Sequence, residues 1–207
     1  MVHGRKRLAF SLAFLLAACA TSAPQPANSL TVEALRTLPT QTYALAPADA
    51  SIQFSARPVA FPAVNGTFSK FDGAVDIVMA SEDEVNVQAT VDLSSVEIGN
   101  QWSENLVKSE GWFNVEEHPK AIFSGALKGW SGTGLGTVEG QLTIRGVTKP
   151  ATFSILLDCE DLRQCPKDQV GFMGEIELSR SEFGMTEMRA LVRDKVQLTF
   201  AGSLVAK

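Results

Sequence analysis

Histidine is nearly missing from this chain. Two occur in 207 residues, His3 and His118, and His3 falls in a segment expected to be removed. That count comes close to excluding histidine-based catalysis and histidine metal centres. Tyrosine occurs once. Basic residues are outnumbered, 18 against 23 acidic, for a formal net charge of −5. A nucleic-acid binder would show clustered Lys and Arg instead. A nucleophile elbow, a phosphate-binding glycine loop and a metal-ligand cluster are all absent from the sequence. His118-Pro119 stands alone and reads as a surface position at a strand start rather than a base. Ser81-Glu82-Asp83-Glu84 reads as a solvated turn rather than an acidic metal site. No catalysis is expected, and a hydrolase with scattered catalytic residues is the weakest of three functional readings.

Cysteine is sparse, with three in all. Cys159 and Cys165 are separated by five residues of a polar loop between two strands. In an oxidising compartment they are expected to form a disulfide that pins this loop. The loop closed is short, so the gain is modest, roughly 2 kcal/mol. A redox or metal role lacks both a Cys-x-x-Cys spacing and a nearby histidine. Long apolar runs are also missing: the longest, Leu8 to Ala18, has eleven residues and is too short to span a bilayer. It follows Arg5, Lys6 and Arg7, which gives the charge and length of an export signal. The run ends in Leu16-Ala17-Ala18-Cys19, which resembles the bacterial lipobox, whose cysteine becomes acylated and N-terminal. The alternative is an ordinary secretory signal with an incidental cysteine. Acylation at Cys19 would anchor the protein stably, since two or more chains are needed for that. Ala20 and Thr21 follow, with no Asp beside the cysteine. By resemblance to sorting rules in Gram-negative bacteria, this favours the outer membrane, with the protein facing the periplasm. Loss of the three basic residues deepens the net charge to about −8.

The expected organisation is a lipoprotein signal at 1–18, a tether at 19–39 and one folded domain at 40–207. Residues 20–28 are small, polar and proline-containing, too poor in apolar surface to fold. A short helix is expected at 29–38, stopped by Pro39.

The rest alternates with period two. Strands are expected at 42–46, 51–57, 67–70, 73–79, 84–93, 121–128, 137–145, 151–157, 169–179 and 195–204. The cleanest places Val85, Val87, Ala89, Val91 and Leu93 on one face and Glu84, Asn86, Gln88, Thr90 and Asp92 on the other. Residues 140–157 read as a hairpin that breaks between Gly146 and Pro150, because Gly takes a positive φ and Pro suits a strand start or edge. Gln101 to Glu110 carries Trp102, Leu106 and Val107 at helical spacing and precedes Gly111, a helix stop signal. The fold class is therefore all-β with one short helix, as a sandwich or a closed barrel. A barrel removes exposed edges, and one of eight strands can hold an elongated ligand.

Three segments carry a family likeness: Glu110-Gly111-Trp112-Phe113-Asn114 through His118-Pro119 to Phe123; Leu142-Thr143-Ile144-Arg145-Gly146-Val147-Thr148; and Arg180-Ser181-Glu182-Phe183-Gly184. In this order, with Gly66-Thr67-Phe68 and Phe71, they resemble the YceI-like polyisoprenoid-binding family over residues 42–205. The resemblance implies an extended, eight-stranded, antiparallel lipocalin-like β-barrel whose interior can take an isoprenoid chain, as of a quinone or polyprenyl phosphate. Where the family often carries an Arg-Asp pair and a histidine, this chain has Ser103-Glu104 and Ser55-Ala56-Arg57. The resemblance also places Gly66 within or beside a strand, although Asn65-Gly66 alone reads as a hairpin turn.

Two readings then lead. In the first, a non-catalytic lipoprotein binds an isoprenoid lipid, with no other cofactor, among Phe54, Val91, Phe123, Leu142, Phe153, Phe172, Ile176 and Phe200. Trp112, Phe113, Phe183, Met185 and Met188 would form or gate the mouth. In the second, the same side chains simply fill the core of a structural or stress-related envelope lipoprotein. Arg180 is expected to pair with a carboxylate such as Asp194 or to face a ligand head group. The oligomeric state is open, a homodimer included, and a transmembrane barrel is disfavoured because strands such as 84–92 alternate with polar residues.

Overall fold

Period-two patterning produces strands wherever the structure can be followed. The computed structural model describes residues 41–78, 84–130, 134–158 and 168–207. The expected signal, tether and 29–38 helix, Cys19, the 81–83 turn residues and the Cys159–Cys165 pair lie outside the described residues. The strands are β1 (Gln41–Leu45), β2 (Ser51–Pro58), β3 (Val64–Phe68), β4 (Phe71–Val78), β5 (Glu84–Asp92), β6 (Val96–Glu97), β7 (Lys120–Trp130), β8 (Leu135–Ile144), β9 (Val147–Leu157), β10 (Gln169–Ser179) and β11 (Val192–Ala206). One α-helix, α1 (Gln101–Lys108), is found among the described residues.

Every pairing is antiparallel, and the sheet closes on itself. The circuit of eight runs β1-β4-β5-β7-β8-β9-β10-β11 and returns to β1. β11, at 15 residues, makes the closure by pairing with β10 along one edge. Along its other edge it gives residues 204–206 to β1 and 192–201 to β2. The β2–β3 ribbon thus continues the barrel wall in line with β1, and β6 adds two residues to β3. The strands β7, β9 and β10 have 11 residues each, about twice the usual length, so the barrel is long.

The β8–β9 hairpin is tighter than the sequence suggests. Its loop is Arg145-Gly146 alone, with φ of 53° and 71°, the two-residue turn whose twist matches the strands. Pro150 lies inside β9 opposite Gln141. Counting from the turn, that pair is a non-hydrogen-bonded one, so the missing N–H points away from β8. On that side β10 reaches only residues 154–157 of β9, so nothing is lost. Gly66 lies within β3 opposite Phe54, as the family likeness implies, and Asn65-Gly66 makes no turn. The Phe54 ring occupies the place of the missing side chain, with Cζ 2.5 Å from where a Cβ would stand.

Helix α1 starts where expected, capped by the Asn100 side chain, which accepts from the Ser103 N–H at 2.8 Å. It ends at Lys108 rather than Glu110, because the Ser109 N–H and Oγ both bond back to the Leu106 carbonyl. Gly111 is therefore not the helix stop. The exposed Glu187 side chain lies against its α-carbon.

Gly125 and Gly140 face each other across β7 and β8. A Cβ on Gly125 would lie 2.5 Å from the Glu139 carbonyl, 2.7 Å from the Phe123 ring and 2.9 Å from the Gly140 Cα. Gly125→Ala is expected to cost about 2 kcal/mol through overpacking, lowering the melting temperature by roughly 4–8 °C in a thermal circular-dichroism scan.

Candidate functional site

Alternation turns one face of each strand into the barrel, and those side chains do not meet in the middle. They enclose a cavity of about 720 Å³. It runs from Leu45, Leu157 and Leu204 at one end to Pro58, Leu106 and Met188 at the other. Apart from the Trp102 and Trp112 indoles, its lining residues with polar side chains are Ser51, Gln88, Ser103 and Arg180. Aromatic rings stiffen it. Phe123 and Phe153 meet edge to face with centroids 4.6 Å apart, and Phe153 meets Phe200 at 5.4 Å, which in turn meets Phe172 at 6.1 Å. Phe68 links Phe54 at 5.7 Å to Phe113 at 6.0 Å.

Of the side chains named from the sequence, Phe54, Val91, Phe123, Leu142, Phe153, Phe172 and Phe200 border the cavity. Ile176 does not. It points inward beside its cross-strand partner Leu198, which does border the cavity, and packs against the buried cluster. Trp112, Phe113, Phe183, Met185 and Met188 border the cavity too, but the first, third and fourth of these do not form a mouth. Trp112, Phe183 and Met185 are buried, because the loop around residues 180–185 folds under the barrel end and closes it. The exposed rim is made by Val59, Phe61, Trp102 and Leu191. A signal for part of it was present: Pro58-Val59-Ala60-Phe61-Pro62 is a loop without one polar side chain.

The three segments that carry the family likeness converge at this end. Arg145, from the β8–β9 turn, donates through Nη2 to the Glu110 carbonyl at 2.9 Å and through Nη1 to the Gly184 carbonyl. Arg180 is 2 % exposed. It donates through Nη1 to the Met185 carbonyl at 2.7 Å, through Nη2 to Val192 at 3.0 Å and through Nε to Arg193 at 3.3 Å. Its guanidinium lies 4.8 Å from the Trp112 ring centroid, a cation–π contact. Burial pushes its pKa down, the nearby Asp194 charge opposes that, and Arg189 adds to it. The expected Arg180–Asp194 hydrogen bond is not made. The Asp194 carboxylate instead accepts from Ser181 N–H at 3.0 Å and Ser181 Oγ at 2.9 Å. Carbonyls offer a buried cation acceptors without a second buried charge to desolvate.

His118 sits before β7, its N–H bonded to the Asn114 carbonyl and its ring against Gly146. Its nearest acid, Glu117, is 3.9 Å away and largely exposed. Among the described residues no three His, Cys, Asp or Glu side chains are grouped to hold a metal. What the geometry offers is apolar volume.

Replacing Arg180 by Met is expected to strip three carbonyls of their donor and to destabilise the fold by about 3 kcal/mol or more. The measurement is a urea titration in which the midpoint falls and the slope is unchanged.

Comparison with known proteins agrees with this architecture. A model of the YceI-like domain matches residues 43–204. A UPF0312 protein of Shewanella denitrificans is 28 % identical over 138 residues, 67 % of this chain and 72 % of that protein. Protein YceI of Salmonella newport is 28 % identical over 151 residues, 72 % of this chain and 78 % of that protein. Among solved structures, Burkholderia cenocepacia BcnA superposes with a TM-score of 0.66 at 25 % identity, covering 79 % of this chain and 99 % of that one. A polyisoprenoid binding domain from Saccharophagus degradans superposes at 0.60 with 13 % identity, covering 82 % of this chain and all of its own, which is a likeness of fold. By its sequence match and its barrel, the chain belongs to the YceI-like family.

Proposed function

We propose that this protein binds an isoprenoid lipid, of the quinone or polyprenyl phosphate type, inside its barrel as a non-catalytic carrier or store. The observation that carries this is the cavity. At about 720 Å³ it falls in the range of ligand pockets, roughly 300–1,000 Å³, whereas a packed interior holds few voids larger than a water molecule. That disfavours a ligand-free scaffold. Its apolar lining gives an elongated hydrocarbon chain contact along most of its length. At about 0.8 kcal/mol per buried CH₂, each isoprene unit adds several kcal/mol, so affinity grows with chain length. The name of the Saccharophagus degradans neighbour, a polyisoprenoid binding domain, points the same way. We further propose that the protein is exported and held at the periplasmic face of the outer membrane through acylated Cys19.

Native mass spectrometry with lipid extraction, on a chain shortened to begin at Thr40, tests the binding. A bound species whose mass varies by whole isoprene units is expected. An unliganded mass that stays unchanged after incubation with ubiquinone or a polyprenyl phosphate would sink the proposal. Ala89 borders the cavity, and Ala89→Trp would place an indole in open space. Loss of binding by about ten-fold or more is expected with little change in melting temperature, since filling a void avoids the strain of overpacking. Cys19→Ser should move the protein from the membrane to the soluble fraction on cell fractionation. Retention in the outer membrane after a high-salt wash that strips electrostatic contacts would refute the acyl anchor.

A further inference from the structure

Four large apolar side chains stand in water around one opening. Val59 is 56 % exposed, Phe61 76 %, Trp102 70 % and Leu191 58 %, and each also borders the cavity. Side chains that do both mark where the cavity meets solvent. The Val59 N–H donates to the Leu191 carbonyl at 2.8 Å, which fastens the loop after β2 to the loop before β11. The other large exposed apolar residues among those described, Ile122, Leu135, Met173 and Val205, do not border this cavity. An exposed apolar rim around a cavity opening marks an interaction surface, because folding by itself would bury it.

The charges beside the rim name the partner. Arg57 lies two residues before Val59, Arg189 two before Leu191 and Arg193 two after it, and all three are exposed. None has an ion pair among the described residues. This unpaired basic cluster runs against a chain whose net charge is −5. Glu187, the acid in the same loop, is turned against Gly111. A second copy docked by two-fold symmetry would bring the two arginine sets together, which is repulsive. An anionic bilayer satisfies both features: apolar rings enter the boundary between head groups and acyl chains, and arginines meet phosphates.

We infer that this rim docks the barrel on an anionic lipid bilayer, so that the cavity opens directly into the acyl layer. The inference rests on the lipid-binding reading and adds the route: an isoprenoid chain passes between membrane and barrel without crossing water.

The test uses the full chain and vesicles of phosphatidylglycerol and phosphatidylcholine whose acyl chains are brominated, because bromine quenches tryptophan on contact. This reads the position of the ring whatever tethers the chain. Quenching is expected, strongest for bromines near the head groups, and its rim component should vanish in Trp102→Phe. Arg57→Gln and Arg189→Gln should each weaken docking about five-fold. Trp102 emission that ignores anionic vesicles would overturn the inference, as would a lipid-free dimer that shields Trp102. A second measurement separates the two readings. The Arg57→Gln/Arg189→Gln protein, altered outside the cavity, should load ubiquinone from cyclodextrin as the unaltered protein does, yet acquire it from vesicles more slowly. Docking without loading by the unaltered protein would refute the binding proposal alone. Equal acquisition from vesicles by both proteins would refute the docking route alone.

Discussion

The structure depends on β11 finding three partners at once. It pairs with the whole of β10 through residues 195–205 and divides its other edge between β1 and β2. Remove that division and the sheet is an open ribbon with two unpaired edges, which would seek pairing elsewhere. With it, the strands have no free edge in the circuit, and their apolar faces are committed to a common interior. Closure is also what makes a cavity. Two packed sheets can slide together until side chains interdigitate, but a closed circuit of eight holds its walls apart at a distance set by strand number and stagger.

Inside that frame, residue size decides what is filled. Phe123 lies over the facing pair Gly125 and Gly140, and Phe54 over Gly66. Each aromatic ring rests on backbone where a side chain is missing, which presses it towards the wall. Rings seated in this way line the interior and leave its centre open. The barrel end carrying α1 is treated differently. There Arg180 and Arg145 bind five backbone carbonyls between them, which fixes the loops that close one part of the end and shape the rim at another. Two cations thus organise the polar backbone at the edge of an almost wholly apolar chamber, and neither needs a carboxylate in hydrogen-bond contact.

Much of the strand content was legible because period two is a local signal. Residues 84–92 formed β5, and Val87, Ala89 and Val91 reached the cavity as their alternation implied, although Gln88, read as facing water, also borders it. The errors have physical causes. Pro150 suggested a break, yet its missing N–H matters only if a neighbour pairs on that side, and β10 stops short of it. Gly111 looked like a helix stop, but the helix ends before it, where the Ser109 N–H and Oγ bond back to the Leu106 carbonyl. Asp194 was the natural mate for Arg180 by charge, but Ser181 lay closer to it. Trp112, Phe183 and Met185 were read as an entrance because they are large and lie outside strands. They are buried because the loops that bear them are tied back by the two arginines.

By itself the sequence determined the class of structure: antiparallel strands with one apolar face each and one short helix. Those properties are written residue by residue, in alternation, capping and composition. Only the tertiary structure decided that the apolar faces enclose a hollow rather than a packed core, that Ile176 points inward without bordering it, and that Phe61 and Trp102 stand at its rim. A buried phenylalanine and a cavity-lining one have the same local pattern. What separates them is the radius of the closed sheet, and no stretch of chain carries that quantity alone.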